Sequence, residues 1–419
     1  MLDRKSPPAF NQDKTFHLLT PENERLTSGN QLLFIHGGDQ EVVKIELIFR
    51  AGRWFESKPG LSHFTAILLS KGTANLTSYQ ITSIFDYSGV HLEINPGLDF
   101  TSITLYGLTK KIHDVLDLLI DILATSTFPE IEIQQAKDIY TQGLKINLEK
   151  TSYLAARYFR KNLFGDNHPY GKDFEPEDVN NVNQTHLIDF RNKFYKSFVG
   201  FVSGKVSDKV KQDIAAKLNQ LIPVNIPSKE YTKSPAVLHT NHIDKQGSIQ
   251  SSLRIGKQIV GRSHADYPGL LLLNHILGGF FGSRLMKNIR EEKGLTYGIH
   301  SSIHALKNES YLVIGTDVNK ENRIISIEEI KKELERFRIE MIERDELDVA
   351  RNHFIGSLQS DMSTPFAHAD KIKTITLFNL KADYYQHLIN AMMEISTENL
   401  QSLAQKYLTE SELFTTSVG

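Results

Sequence analysis

One order of predicted elements runs through this chain twice, about half a chain apart. In the first half, Val42–Phe49 alternates apolar and polar side chains and reads as a strand. Residues 60–70 and 77–87 read as helices, and His91–Leu108 reads as a hairpin turning near Pro96-Gly97. Ile112, Val115, Leu116, Leu119, Ile120 and Leu123 recur at helical spacing over Lys111–Ala124, and a long polar helix opens at Phe128-Pro129-Glu130 and runs to about Leu148. The second half repeats the order: a strand over Ser248–Ile255, a helix over Asp266–Leu277, a hairpin over Leu295–Val318 turning at Lys307-Asn308, then helices over Arg323–Glu343 and Asp345–Ser360. The segment EIEIQQAKDIYTQGLKIN from Glu130 faces ERDELDVARNHFIGSLQS from Glu343, an offset of 343 − 130 = 213 residues. Between the copies, Ile222–Pro235 concentrates three prolines and charge, as a linker does. The expectation is an α+β chain of two homologous domains, 1–222 and 236–419, joined by 223–235, each a mainly antiparallel sheet flanked by helices.

Composition narrows the chemistry. With 48 Lys plus Arg against 50 Asp plus Glu, the net charge is −2, so no basic surface field favours nucleic acid. The 40% hydrophobic content suffices for sizeable cores. There is no cysteine, which removes disulfides, thiolate nucleophiles and every thiolate metal site. Any metal site must be built from His, Asp and Glu. No apolar run reaches membrane-spanning length, and MLDRKSPPAFNQDKTF lacks the apolar core of a signal peptide, so a cytoplasmic protein with no membrane partner is expected.

The stretch Ala51-Gly52-Arg53-Trp54-Phe55-Glu56, continuing through Gly60-Leu61-Ser62-His63-Phe64 to Lys71-Gly72-Thr73, resembles the start of the pitrilysin/insulinase family of zinc metallopeptidases, to which the mitochondrial processing peptidases belong. The family carries an H-x-x-E-H helix in this position. Its two histidines share one helix face and bind Zn²⁺, and its glutamate acts as general base on the bound water. Here those five positions are His63, Phe64, Thr65, Ala66 and Ile67. Neither Ala66, in place of the base, nor Ile67, in place of the second ligand, can hold a proton or a metal. The family's third ligand, a downstream glutamate, falls near Thr141, Gln142 and Gly143. The resemblance therefore implies degenerate metal positions at His63, Ala66, Ile67 and Gln142, no complete active site and no cofactor in this chain. Without the resemblance, His63 reads as a polar residue at a buried helix start.

The second half shows the opposite pattern. Leu277-Gly278-Gly279-Phe280-Phe281-Gly282-Ser283-Arg284-Leu285 leads into Arg290-Glu291-Glu292-Lys293-Gly294-Leu295-Thr296-Tyr297. This resembles the family's second, non-metal domain, in which an Arg and a Tyr seven residues apart hold the substrate backbone and stabilise the oxyanion, work suited to a guanidinium and a phenol donor. Arg290 and Tyr297 fit that pair. Gly278, Gly279 and Phe280 fall in the glycine-rich segment that the family uses against substrate; a helix-joining turn is the alternative, and the P-loop pattern is absent. His300 and His304 would lie about 13 Å apart on a strand, and His239-x-x-His242 has no carboxylate partner in sequence.

The family closes domain pairs into a clam-shell, and a chain of this length is half of one. The resemblance thus implies a catalytically incomplete subunit of a heterodimeric zinc peptidase. A partner with an intact H-x-x-E-H would supply zinc, and this chain would supply Arg290 and Tyr297 to peptide substrates. The rival reading is a non-enzymatic peptide-binding or scaffold protein of the same fold, pairing with itself as a homodimer.

Overall fold

The computed structural model describes residues 15–236 and 239–419. The leader reading falls largely on 1–14, outside the described residues. Two sheets form. The first is built from β1 (Glu22–Arg25), β2 (Gln31–His36), β3 (Val42–Phe49), β4 (His91–Pro96), β5 (Thr101–Leu108) and β6 (Phe198–Gly204), in the order β1-β2-β6-β3-β5-β4. The second is built from β7 (Thr240–Ile243), β8 (Gln250–Ile259), β9 (Ile299–Ala305), β10 (Ser310–Asn319) and β11 (Phe414–Val418), in the order β7-β11-β8-β10-β9. Apart from β1 the two orders superimpose: β2 runs parallel to β6 as β7 does to β11, and the remaining neighbours are antiparallel. The duplication seen in sequence is a duplication of topology.

The first unit's helices are α1 (Leu61–Leu68), α2 (Ser78–Ser88), α3 (Thr109–Thr125), α4 (Glu130–Leu148), α5 (Thr151–Phe164), α6 (Pro176–Asn180), α7 (Gln184–Phe194) and α8 (Asp208–Leu218). The second unit's are α9 (Tyr267–Asn274), α10 (Arg323–Ile339), α11 (Arg344–Ser360), α12 (Pro365–Leu377), α13 (Tyr384–Glu394) and α14 (Thr397–Tyr407). Strand alternation sends Leu32 and Phe34 of β2 into the main core of the first unit, and Leu33 and Ile35 to the opposite face. That opposite face is covered by Ala369 and Ile372 of α12, a helix of the second unit. Reciprocally, Phe159, Leu163 and Phe164 of α5 join Tyr311, Val313 and Phe414 on one face of the second sheet. Each unit thus covers the other's sheet with a helix.

Polar contacts follow the exchange. Lys373 Nζ on α12 donates to both carboxylate oxygens of Glu46 on β3, at 2.8 and 2.9 Å. Asn162 Nδ2 on α5 donates to Thr416 Oγ1 on β11 at 3.0 Å, and Gln258 Nε2 donates to the Leu163 carbonyl at 2.6 Å. The proline-containing connection has no regular secondary structure, yet it is fastened at both ends. Trp54 Nε1 donates to the Lys229 carbonyl at 3.1 Å, Tyr231 Oη donates to the Trp54 carbonyl at 3.0 Å, and Lys233 Nζ reaches Glu309 at 2.9 Å.

The helix expected over Asp266–Leu277 forms, and its last turn widens. Helix α9 stops at Asn274 and a wider π turn, His275–Gly279, follows, within which Gly278 leaves helical geometry at φ −160° and ψ 18°. The position leaves no room for a side chain: a Cβ on Gly278 would lie 2.7 Å from the Ser301 amide of β9. The helix expected to reach Glu343 ends at Ile339. No helix among the described residues is long and apolar enough to cross a membrane.

Candidate functional site

Helix α1 starts after Gly60, whose φ of 91° is left-handed. The Ser62 amide donates to Glu56 Oε2 at 3.0 Å, and Ser62 Oγ donates to the Ala51 carbonyl at 2.7 Å, which fixes the helix start against β3. Burial pushes the Glu56 carboxyl up to about 7, against the pull of the Ser62 amide and Arg53. His63, on the next position, stands in an aromatic box. Its ring lies 5.4 Å from Phe64, 5.1 Å from Tyr140 of α4 and 6.1 Å from Phe174. Burial, with Arg53 adding like-charge repulsion, drives the imidazole down to about 4, so it is neutral at physiological pH.

These residues do not fit a zinc ion. Ala66 is fully buried, Ile67 packs against the first core, and Gln142 is exposed on α4 while Tyr140, two residues earlier, occupies the space before His63. Tyr140 also stacks with Phe64 and Phe174 at 5.5 and 5.8 Å, and Arg53 caps Phe174 at 4.7 Å while pairing with Asp173 at 3.1 Å. Around the one remaining imidazole stand hydrocarbon and phenol rings with no second metal-binding group.

The second unit carries a histidine pair that reading the sequence did not find. His275 Nε2 lies 3.0 Å from His353 Nδ1, and Phe280 stacks on His275 at 4.7 Å and 13°. Burial first, and the neighbouring His353 second, bring His275 down to about 4. The repeat offset was the available signal: 140 + 213 = 353, so His353 occupies the position of Tyr140. No group of three or more His, Asp or Glu able to hold a metal occurs among the described residues.

Arg290 lies beside this loop. Gly278 is buried against β9, Gly279 is exposed, and Phe280 turns inward onto the histidines, so Phe281 is the aromatic ring facing solvent. The Arg290 guanidinium sits over the Phe281 ring at 4.8 Å. Tyr297 is 96% exposed, on the two-residue approach to β9, the edge strand of its sheet. Neither has a hydrogen-bond or ion-pair partner among the described residues. Of the other histidines that the sequence offered, His304 stacks on Tyr311 at 4.7 Å, and His242 Nδ1 contacts Ser417 Oγ at 2.9 Å.

Two superimposable α+β units, one with a degenerate metal helix and the other with a solvent-facing Arg/Tyr pair, define an incomplete member of a zinc-peptidase fold class. Residues 33–167 match the insulinase (peptidase family M16) model, and residues 181–354 match the peptidase M16 inactive-domain model. The chain belongs to peptidase family M16. It is 24% identical to the uncharacterized zinc protease YmxG of Bacillus subtilis, covering 84% of this chain and 86% of that protein. It is 22% identical to the non-peptidase homolog YmxG of Helicobacter pylori, over 88% and 87% of the two chains. Its fold matches that of a peptidase M16 inactive domain from Pseudomonas fluorescens with a TM-score of 0.87, covering 96% of this chain and 98% of that one at 24% identity. A protease from Helicobacter pylori matches with a TM-score of 0.85 at 18% identity, over 96% and 100% of the chains.

Proposed function

We propose that this chain is the non-catalytic subunit of a two-chain zinc peptidase, presenting Arg290 and Tyr297 to a peptide held against a partner that carries an intact H-x-x-E-H. One observation carries the reading. His63 is packed against Tyr140 and Phe174, whereas among the described residues Arg290 has the Phe281 ring beside it but no hydrogen-bond or ion-pair partner, and Tyr297, 96% exposed, has none either. Both are hydrogen-bond donors suited to peptide carbonyls and to a developing oxyanion. Edge strand β9, directly after Tyr297, offers unpaired backbone groups to which an extended peptide can add. Zinc and general base would belong to the partner subunit, and this chain would orient the substrate.

The test is peptide cleavage by this protein alone, by an H-x-x-E-H relative from the same source, and by the mixture. Activity that requires both chains supports the reading. A partner that cleaves equally well alone overturns it and leaves a peptide-binding or scaffold homodimer as the remaining account.

A further inference from the structure

A cavity of about 770 Å³ opens where the two units and their connection meet. It shares no lining residue with the Arg290/Tyr297 face. Its floor is the α12-facing side of the first sheet beyond the end of α12, and its rim takes in the connection and the β9–β10 turn.

Four cations line it: Arg25, Arg50, Lys229 and Lys307, against one carboxylate, Asp99. Among the described residues, none of the four charged groups has a carboxylate at ion-pair distance. The two lysines are held by neutral carbonyls instead. Lys229 Nζ donates to the Phe55 and Glu56 carbonyls at 2.9 and 3.2 Å, and Lys307 Nζ donates to the Leu377 carbonyl at 2.5 Å. Such contacts aim an ammonium without neutralising it. Burial lowers the affinity of both lysines for their protons, against the opposing pull of Glu56 on Lys229 and of Asp99 on Lys307. Arg50 lies over the Phe55 ring at 5.0 Å, and Arg25 is exposed at the rim.

The single acid is already occupied. Asp99 accepts from Tyr170 Oη and from the Lys307 amide, the latter at 3.1 Å, and burial pushes its carboxyl above the ordinary range. It therefore compensates at most one of four cations. A concave site with net positive charge favours anionic ligands, and its partly apolar wall, including Phe100 and Phe198, lowers the dielectric around the charges.

We infer that this inter-unit cavity is a binding site for a small multivalent anion, a molecule carrying two or more carboxylates or a phosphate chain. Its occupant would bridge Arg25 and Arg50 of the first unit, Lys229 of the connection and Lys307 of the second. Binding would therefore stiffen the junction between units as well as satisfy the charges. The inference is independent of the peptidase reading, since it uses none of its residues.

Calorimetric titration of the full chain with sodium tripolyphosphate and, separately, with citrate tests it. The expected result is one site for at least one of the two, weakening about tenfold between roughly 0.05 and 0.3 M salt. Binding of tripolyphosphate alone assigns phosphate chemistry, and citrate alone assigns carboxylate chemistry. Arg25 and Arg50 are exposed, so the doubly substituted Arg25→Gln, Arg50→Gln protein folds normally and should bind about tenfold more weakly. Lys209→Gln on exposed α8 should leave affinity unchanged. No heat at millimolar anion, or equal affinity in the doubly substituted protein, overturns the inference.

Discussion

The ring of Tyr140 on α4 lies 5.1 Å from the imidazole of His63 on α1, at 57°, and fills the space in front of the residue that alone survives from the zinc motif. The degenerate site is therefore packed with rings on the α4 side, while a cavity of about 150 Å³ lined by Arg53, Ser62, His63, Pro96 and Phe174 stays open beside it. Hydrophobic substitution at Ala66 and Ile67 is matched by an aromatic seal on the facing helix, and an imidazole held neutral by burial completes the box.

Restoring the motif letters should not restore a metal. In an Ala66→Glu, Ile67→His protein the new carboxyl enters a fully buried position, and Gln142 remains pointed at solvent. A loss of several kcal/mol is expected from burying an unpaired acid. Thermal unfolding should show the loss, and zinc analysis should give well below one ion per chain. Stoichiometric zinc in a folded variant would falsify the repacked-site account.

Packing at the box sets stability. Tyr140→Ala removes ring contacts to His63, Phe64 and Phe174 together, and should cost about 2–4 kcal/mol. Tyr140→Phe keeps the ring and should cost under about 1 kcal/mol. Urea midpoints for the two variants compare the terms directly.

Buried histidines and a buried acid should pull stability in opposite directions over nearly the same pH range, about 4.5 to 6.5. His63 and His275 have folded affinities for protons far below the ordinary 6.5, near 4, so their contribution is complete above 6.5 and is lost as pH falls toward 4. Glu56 works in the opposite direction. Its folded value near 7 lies above the ordinary 4.5, so the folded state holds the proton more tightly and stability declines as pH rises from 4.5 through 7. Glu56→Gln keeps an acceptor for the Ser62 amide and should remove that decline, gaining about 1–3 kcal/mol at pH 8. Chemical denaturation of both proteins between pH 5 and 8 decides it, and an unchanged slope in the variant would count against the buried acid.

Arg290 and Tyr297 should separate function from folding. Tyr297 is almost fully exposed, so Tyr297→Phe should shift stability by less than about 0.5 kcal/mol. In the two-chain enzyme, Arg290→Ala should lower turnover by about 10²-fold if its guanidinium meets the oxyanion. Unaltered turnover with both variants would remove the pair from the site.

The joint between units should depend on the Lys373–Glu46 pair, which joins residues 327 apart in sequence. Lys373→Met leaves a nearly buried carboxylate with Lys44 at 3.7 Å as its remaining ion-pair partner, an expected cost of about 2–3 kcal/mol. Adding Glu46→Gln should recover most of it, and a double-mutant cycle measures the coupling.

Much of the fold was legible because its signals are local. Alternation over Val42–Phe49, helical spacing over Lys111–Ala124 and the repeat from Glu130 to Glu343 each lie within one element or one offset. The strands β2, β6 and β11 escaped notice. Their side chains are buried on both faces, so β2 and β6 show short apolar runs and β11 a Thr/Ser-rich stretch instead of alternation, and β6 and β11 join their sheets only through pairing with distant chain. The helix over Asp266–Leu277 was legible from its apolar spacing, while its change from α to π geometry at His275 leaves no mark in that spacing.

The candidate site divides the same way. Residue type alone determined that Ala66 and Ile67 can neither bind a metal nor move a proton, and that Arg290 and Tyr297 stand seven residues apart with suitable donors. Only the tertiary structure decided that Tyr140 seals His63, that His275 meets His353 across 78 residues, that Phe281 instead of Phe280 faces solvent, and that each unit covers the other's sheet. The reason is physical. Composition and periodicity specify which faces must be buried, but which distant surface buries them is settled by packing between segments whose separation no local pattern records.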